Sequence, residues 1–133
     1  MQEYLDYFGN DKFASSNGII LTECRPGYAK AEAEINGNHL NGAGVLHGGM
    51  IFTIADFVFA AAVNSYGKVT LSINASVSYF SKINSGRITA EAREISRSNK
   101  LITCDINVFD EPGNVIANFK GTAFITKETI EFK

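Results

Sequence analysis

The residues able to do chemistry gather in one short stretch. His47-Gly48-Gly49 runs without a break into the apolar segment Met50–Val63, which carries a single charge, Asp56. The segment reads as a buried helix, where an unpaired carboxylate is costly unless it has a task. Two glycines at its start let another molecule approach free backbone N–H groups, and the positive end of the helix dipole lies there too. Donors at a helix start and a carboxylate further along are the components that hydrolysis of an acyl group requires. No Ser/His/Asp set with a nucleophile elbow is visible, so a carboxylate mechanism is the simplest.

Composition narrows the alternatives. The chain has 133 residues, 45% hydrophobic and 20% charged, which suits a single domain over residues 1–133 with a real core. Twelve basic and 14 acidic residues give a net charge of −2 and no basic stripe, so no nucleic-acid partner is expected. Lys82, Arg87, Arg93, Arg97 and Lys100 do gather in one third of the chain, where they suit either a phosphorylated small molecule or ordinary solvated strand and turn positions. Cys24 and Cys104 are too few for a disulfide framework, and His39 and His47 make a poor metal set, so neither a metal nor a cofactor is expected. The N-terminus lacks the pattern of a signal peptide, and Met50–Val63 is too short to span a membrane. A cytoplasmic location follows by default.

The elements that position this stretch follow from periodicity. Residues 2–16 read as a short amphipathic helix anchored by Tyr4, Leu5, Phe8 and Phe13. Residues 19–24 and 28–35 read as a hairpin around Arg25-Pro26-Gly27, and 36–46 as a Gly/Asn-rich loop. After the apolar helix, residues 69–80, 87–96, 101–109 and 114–125 read as strands, the last two joined by Asp110-Glu111-Pro112-Gly113. Strict alternation in the first of these puts Leu71, Ile73, Ala75, Val77 and Tyr79 on one face and Ser72 on the polar face, away from the helix. Phe52, Phe57, Phe59, Tyr79 and Phe80 read mostly as core, with one or two left to line a pocket. Consecutive strands with one inserted helix make an α+β domain, and Ala29, Ala31, Ala33, Ala90 and Ala92 would let about six antiparallel strands curl closely around that long central helix. One such arrangement is the hotdog fold.

The pattern Asn41-Gly42-x4-His47-Gly48-Gly49-x6-Asp56 resembles the signature of hotdog-fold acyl-CoA thioesterases of the phenylacetyl-CoA thioesterase-like group, and the order of elements matches along nearly the whole chain. The resemblance implies hydrolysis of an acyl-CoA thioester to a free acid and coenzyme A. It implies that Gly48 polarises the carbonyl through its backbone N–H, and that Asp56 attacks it or activates water. Asn41 would orient the water or the thioester, and Ser72 falls where some members hold the water by a hydroxyl. His47 would shape the turn, and Gly49 with it would contact substrate. Arg97-Ser98-Asn99-Lys100 is a candidate phosphate-contact turn for coenzyme A. Lys82-Ile83 departs from a proline common at that point, and Ala60 lacks a hydroxyl that some related enzymes carry.

Geometry then requires a second chain. Asp56 lies eight residues beyond Gly48, about 12 Å along a helix axis, whereas reacting atoms must come within about 3–3.5 Å. Two helices packed antiparallel in a symmetric homodimer would bring Asp56 of one chain to Gly48 of the other, giving two shared sites. The resemblance agrees and suggests homotetramers built from such dimers. Two other readings use the same fold: a non-catalytic acyl-CoA-binding or sensing module, and an acyl-thioester dehydratase or hydratase. The latter relies on a catalytic His in a motif unlike His39-Leu40-Asn41-Gly42.

Overall fold

The computed structural model describes residues 1–132. Two short helices, α1 (Gln2–Phe8) and α2 (Lys12–Ser16), precede a hairpin of β1 (Ile20–Arg25) and β2 (Tyr28–Glu34). A single 3-10 turn (Gly37–His39) and a loop lead into the long helix α3 (Gly48–Asn64). Four strands follow: β3 (Lys68–Tyr79), β4 (Arg87–Arg97), β5 (Leu101–Phe109) and β6 (Val115–Thr129). They form one antiparallel sheet in the order β1-β2-β4-β5-β6-β3, so the strand that leaves α3 crosses to the far edge and pairs with β6.

Small residues let the sheet close on α3. Ala29, Ala31 and Ala33 of β2 and Ala90 and Ala92 of β4 are fully buried or nearly so. Their short side chains bring those strands against Ile54, Ala55, Val58 and Ala62 of the helix within one continuous core. Larger core residues of the sheet are Ile88 of β4 and Ile102, Ile106, Val108 and Phe119 of β5 and β6. Gly121 is small for a different reason: a Cβ there would lie 2.8 Å from the Phe59 ring. The far end of α3 is tied down by polar bonds. Asn64 donates to the carbonyls of Ala60 and Thr70 and accepts from the Thr70 N–H, and buried Ser65 accepts from Gly27 in the β1–β2 turn.

The structure corrects the expectations at three places. The N-terminal segment is two helices, because the Asp11 carboxylate accepts from the Ala14 N–H and starts a new helix at Lys12. Tyr4, Leu5 and Phe8 do pack on the core, but Phe13 is 67% exposed. Phe52, Tyr79 and Phe80 are also exposed, whereas Phe57 and Phe59 are core. The first three lie where one chain has no further layer to cover them.

The third correction concerns β3. Its register with β6 shifts between Ser72 and Asn74, leaving Ile73 as the extra residue of a bulge. Below the bulge Ser72 pairs with buried Ala123, and above it Val77 pairs with buried Phe119. Directly opposed residues share a face. Ser72 therefore lies on the helix-facing side of the sheet, and Leu71, paired with exposed Phe124, lies on the outer side. Strict alternation fails because the strand is two phases joined at Ile73.

Gly121→Ala should lower stability by about 1–3 kcal/mol through overpacking against Phe59. Urea unfolding of the two proteins checks this, and an unchanged midpoint would mean that the ring moves aside freely.

Candidate active site

The start of α3 is built to leave one donor free. His47 is the N-cap, and its Nδ1 accepts from the Gly49 N–H at 2.7 Å. The His47 carbonyl accepts from Met50 at 2.9 Å and Ile51 at 3.3 Å, and its own N–H donates to the His39 carbonyl. Gly48 is left over: its N–H has no hydrogen-bond partner among the described residues. It points from the positive end of a 17-residue helix. The Tyr79 hydroxyl donates to the Gly48 carbonyl at 3.2 Å, and its ring lies 3.2 Å from where a Cβ at position 48 would sit. Glycine at 48 thus admits the Tyr79 ring beside the free N–H.

Asn41 sits on the loop leading to this helix start. Its Oδ1 accepts from the N–H groups of Ala43 and Val45, and its own N–H donates to the Val45 carbonyl, closing a tight turn. With the oxygen spent on the turn, the Asn41 Nδ2 group is what remains to meet a ligand, as a donor. The loop is pinned by Leu46 donating to the Ile83 carbonyl at 2.7 Å. Ile83 also packs against the core, so the segment that departs from a proline still buttresses the site.

Asp56 lies two turns further along α3. The helix is wrapped by the sheet everywhere except one stripe, formed by Gly49, Phe52, Thr53, Asp56, Ala60 and Asn64, none of which is fully buried. Burial among apolar neighbours pushes the Asp56 carboxyl above the ordinary carboxylate value, and the Asp11 carboxylate pushes it the same way. A raised value is what a carboxylate needs to act as a base near neutrality.

The remaining candidates lie elsewhere in the chain. Arg97 and Lys100 line a cleft of about 720 Å3 with Lys68, Lys127, Thr70 and Phe124. It opens beside Val63, about 22 Å along the helix axis from Gly48 at 1.5 Å per residue. The Arg97 guanidinium stacks 3.9 Å above the Tyr66 ring and lies 3.7 Å from Glu94. Ser72 is exposed on edge strand β3 and bonds neither Asp56 nor Gly48 among the described residues. One chain thus sets His47, Gly48 and Gly49 together at the start of α3, with Asn41 in the turn of the loop that leads to it, while Asp56 and the Arg97–Lys100 turn stand apart from them. His39 is buried with both ring nitrogens engaged, Nδ1 accepting from Asn36 and Nε2 donating to the Asn17 carbonyl. That leaves it no lone pair for a dehydratase's proton transfer. No group of three His, Cys, Asp or Glu residues among those described is arranged to hold a metal ion, and no helix is long and apolar enough to cross a membrane.

Sequence reasoning missed two neighbours of the site. Tyr79 reads mostly as core from alternation, which gives its face of the strand but not that its ring reaches the start of α3 at Gly48. Asp11 falls inside the segment 2–16 that reads as one short helix, and no local signal singles it out or links it to Asp56.

Comparison with known proteins adds four findings. The profile of the thioesterase superfamily matches residues 43–117. An Archaeoglobus fulgidus protein carrying an esterase name is 39% identical over 125 residues, covering 92% of this chain and 81% of that one. The Escherichia coli acyl-coenzyme A thioesterase PaaI is 27% identical over 115 residues, covering 86% and 82%. The solved structure of the E. coli PaaI protein from the phenylacetic acid degradation operon superposes with a TM-score of 0.92 at 25% identity, covering 98% of this chain and 95% of that one.

The raised Asp56 value has a consequence for stability. The folded chain holds this proton more tightly than the unfolded chain, so the stabilisation is complete below the unfolded carboxylate value and is lost as pH rises through the folded one. Asp56→Asn stays neutral and should therefore be more stable than the parent at neutral pH, with the gain vanishing in acid. Thermal melts across that range check the sign. A variant less stable at neutral pH would identify Asp56 as a structural carboxylate.

Proposed function

The chain belongs to the thioesterase superfamily and is a thioester hydrolase of the hotdog fold, and on that premise we propose that it cleaves acyl-coenzyme A thioesters at sites shared by two chains. The observation that carries this reading is the uncovered stripe of α3. It presents Asp56 to the outside, two turns from a free Gly48 N–H on the same rigid helix. Two copies packed antiparallel through this stripe would set Asp56 of the partner subunit opposite Gly48. The helices would then cross midway between positions 48 and 56, at Phe52, a large apolar side chain left 37% exposed in the single chain. The unpaired edge of β3 adds a second surface that favours association.

The reaction follows from these groups. The thioester oxygen accepts from the Gly48 N–H and from Asn41 Nδ2. As the carbonyl carbon is attacked its oxygen gains negative charge, and a preorganised donor of this kind is worth about 3–4 kcal/mol. Asp56 of the partner subunit takes a proton from water as the water oxygen bonds to the carbon. Direct attack by the carboxylate, giving an anhydride that water then opens, uses the same atoms. Collapse breaks the C–S bond, and the thiolate of coenzyme A takes up the proton. Ser72, facing the helix side of the sheet, is assigned to holding the water, and His47 and Gly49 to shaping the turn against the substrate. Arg97 and Lys100, joined by Lys68 and Lys127, are assigned to the coenzyme A phosphates, since guanidinium and ammonium groups suit phosphate oxygens. The reaction needs no metal or further cofactor. Two free, buried cysteines suit a reducing cytoplasm, and a tetramer of two such dimers is the assembly we favour.

Thiol release from a panel of acyl-CoAs should fall by about 10²–10⁴-fold in Asp56→Asn, with the fold intact. Below the raised Asp56 value the parent enzyme should also lose rate as pH falls. The shared site is tested by mixing Asp56→Asn with Gly48→Pro chains. Random exchange puts half of the dimers in mixed form with one intact site of two, so about a quarter of the parent activity should return. Mixed dimers verified by mass that stay inactive would rule out the shared site. Tight binding of an acyl-CoA without any turnover would replace hydrolysis by a sensing role.

A further inference from the structure

We propose that the acyl group of the substrate lies in the cleft between the N-terminal helices and α3, walled by Tyr7, Phe8 and Phe57 and floored by Ala60 and Ala61, and that these residues set which acyl groups are accepted. The inference rests on the reaction proposed above and names the part of the molecule that reads the substrate.

Position is the first argument. Ala60 lines this cleft and lies one turn beyond Asp56 on the same uncovered stripe of α3, and residues four apart on a helix are neighbours. Asp11 lines the cleft as well, its carboxylate fixed by the Ala14 N–H at 3.0 Å, and its charge is felt at Asp56. The cleft therefore begins beside the reactive carboxylate and runs away from it.

Direction is the second. In the antiparallel pair the partner's α3 begins opposite Asp56 and runs back toward Gly48, so it covers positions 48 to 56 and leaves Ala60 open. A carbonyl held at the start of the partner's helix has space past that start, along α3 toward Ala60.

Size and chemistry are the third. The cleft measures about 360 Å3 and three of its walls are aromatic rings. A cavity of about 150 Å3 is enough to hold benzene. An aryl-acyl or medium-chain acyl group fills this space against apolar surface, whereas an acetyl group leaves most of it vacant. The larger cleft beside Arg97 is lined by Lys68, Lys100 and Lys127 and suits the anionic end of the substrate instead. The floor is open because residues 60 and 61 are alanines, so a longer side chain at 60 fills the cleft at its mouth.

The test measures kcat/KM for acetyl-, hexanoyl- and phenylacetyl-CoA with the full-length protein, Ala60→Leu and Tyr7→Ala. Ala60→Leu should lower the phenylacetyl-to-acetyl ratio by about tenfold or more. Tyr7→Ala removes an aromatic wall and should shift preference from phenylacetyl toward hexanoyl. Tyr7 is partly exposed, so this variant keeps the test decisive should Ala60→Leu misfold. Ratios within twofold of the parent in the folded variants would overturn the assignment, as would an equal loss on all three substrates, which would make Ala60 part of the reacting centre. A parent protein that releases thiol from none of them would instead overturn the thioesterase reading, and this inference with it.

Discussion

Everything in this molecule depends on covering α3. Seventeen consecutive residues with one charge among them cannot face water, and a single curled sheet is what one chain has available to cover them. The sheet reaches the helix closely because β2 and β4 present alanines, and it reaches around because β3 crosses to the far edge beyond β6. Six strands still leave one stripe of the helix uncovered. A carboxylate is tolerable only on that stripe, where its ionised form keeps access to water. The stripe that the sheet leaves uncovered is thus also the one that carries the helix's single charge, Asp56.

The helix start shows the same economy. An α-helix begins with orphaned N–H groups that a protein normally satisfies by capping. Here His47 caps with its imidazole and satisfies Gly49, while the backbone of the loop holds the histidine in place. The Gly48 N–H is the remaining donor. An ordinary side chain at 48 would press on the Tyr79 ring, and one at 49 would meet the His47 imidazole at 2.9 Å. The two glycines therefore have separate structural reasons.

Much of this was legible in the residues alone, for physical reasons that differ by element. Strands β2, β4 and β5 each bury one face against the helix, so their alternation survives in the sequence. The helix is legible because its apolar run ends in caps, and Asp56 stands out as the one charge inside it. Non-local facts were not legible. The order of strands is set by pairings between distant segments, and periodicity carries no information about them. The phase of β3 was misread because apolar and polar residues keep alternating through a bulge that inverts what alternation means. Phe52, Tyr79 and Phe80 were misread as core because hydrophobicity says that a side chain avoids water, not whether its own chain supplies the cover. The influence of Asp11 on Asp56 is a matter of proximity in space, with 44 residues between them along the chain.

The bulge at Ile73 joins two halves of one strand that serve opposite ends of the molecule. Lys68 and Thr70 line the basic cleft, whereas Tyr79 stands over the start of α3. In a regular strand, the addition or loss of one residue turns every side chain beyond it to the other face. Here the extra residue is already present, and its loss would restore regular alternation by turning over one half relative to the other. The end of the strand nearest the helix start can keep its facing while the other end exchanges what it shows to the cleft. In evolutionary terms, β3 offers a one-codon route to altering which side chains line the basic cleft while the contact of Tyr79 with Gly48 is inherited unchanged.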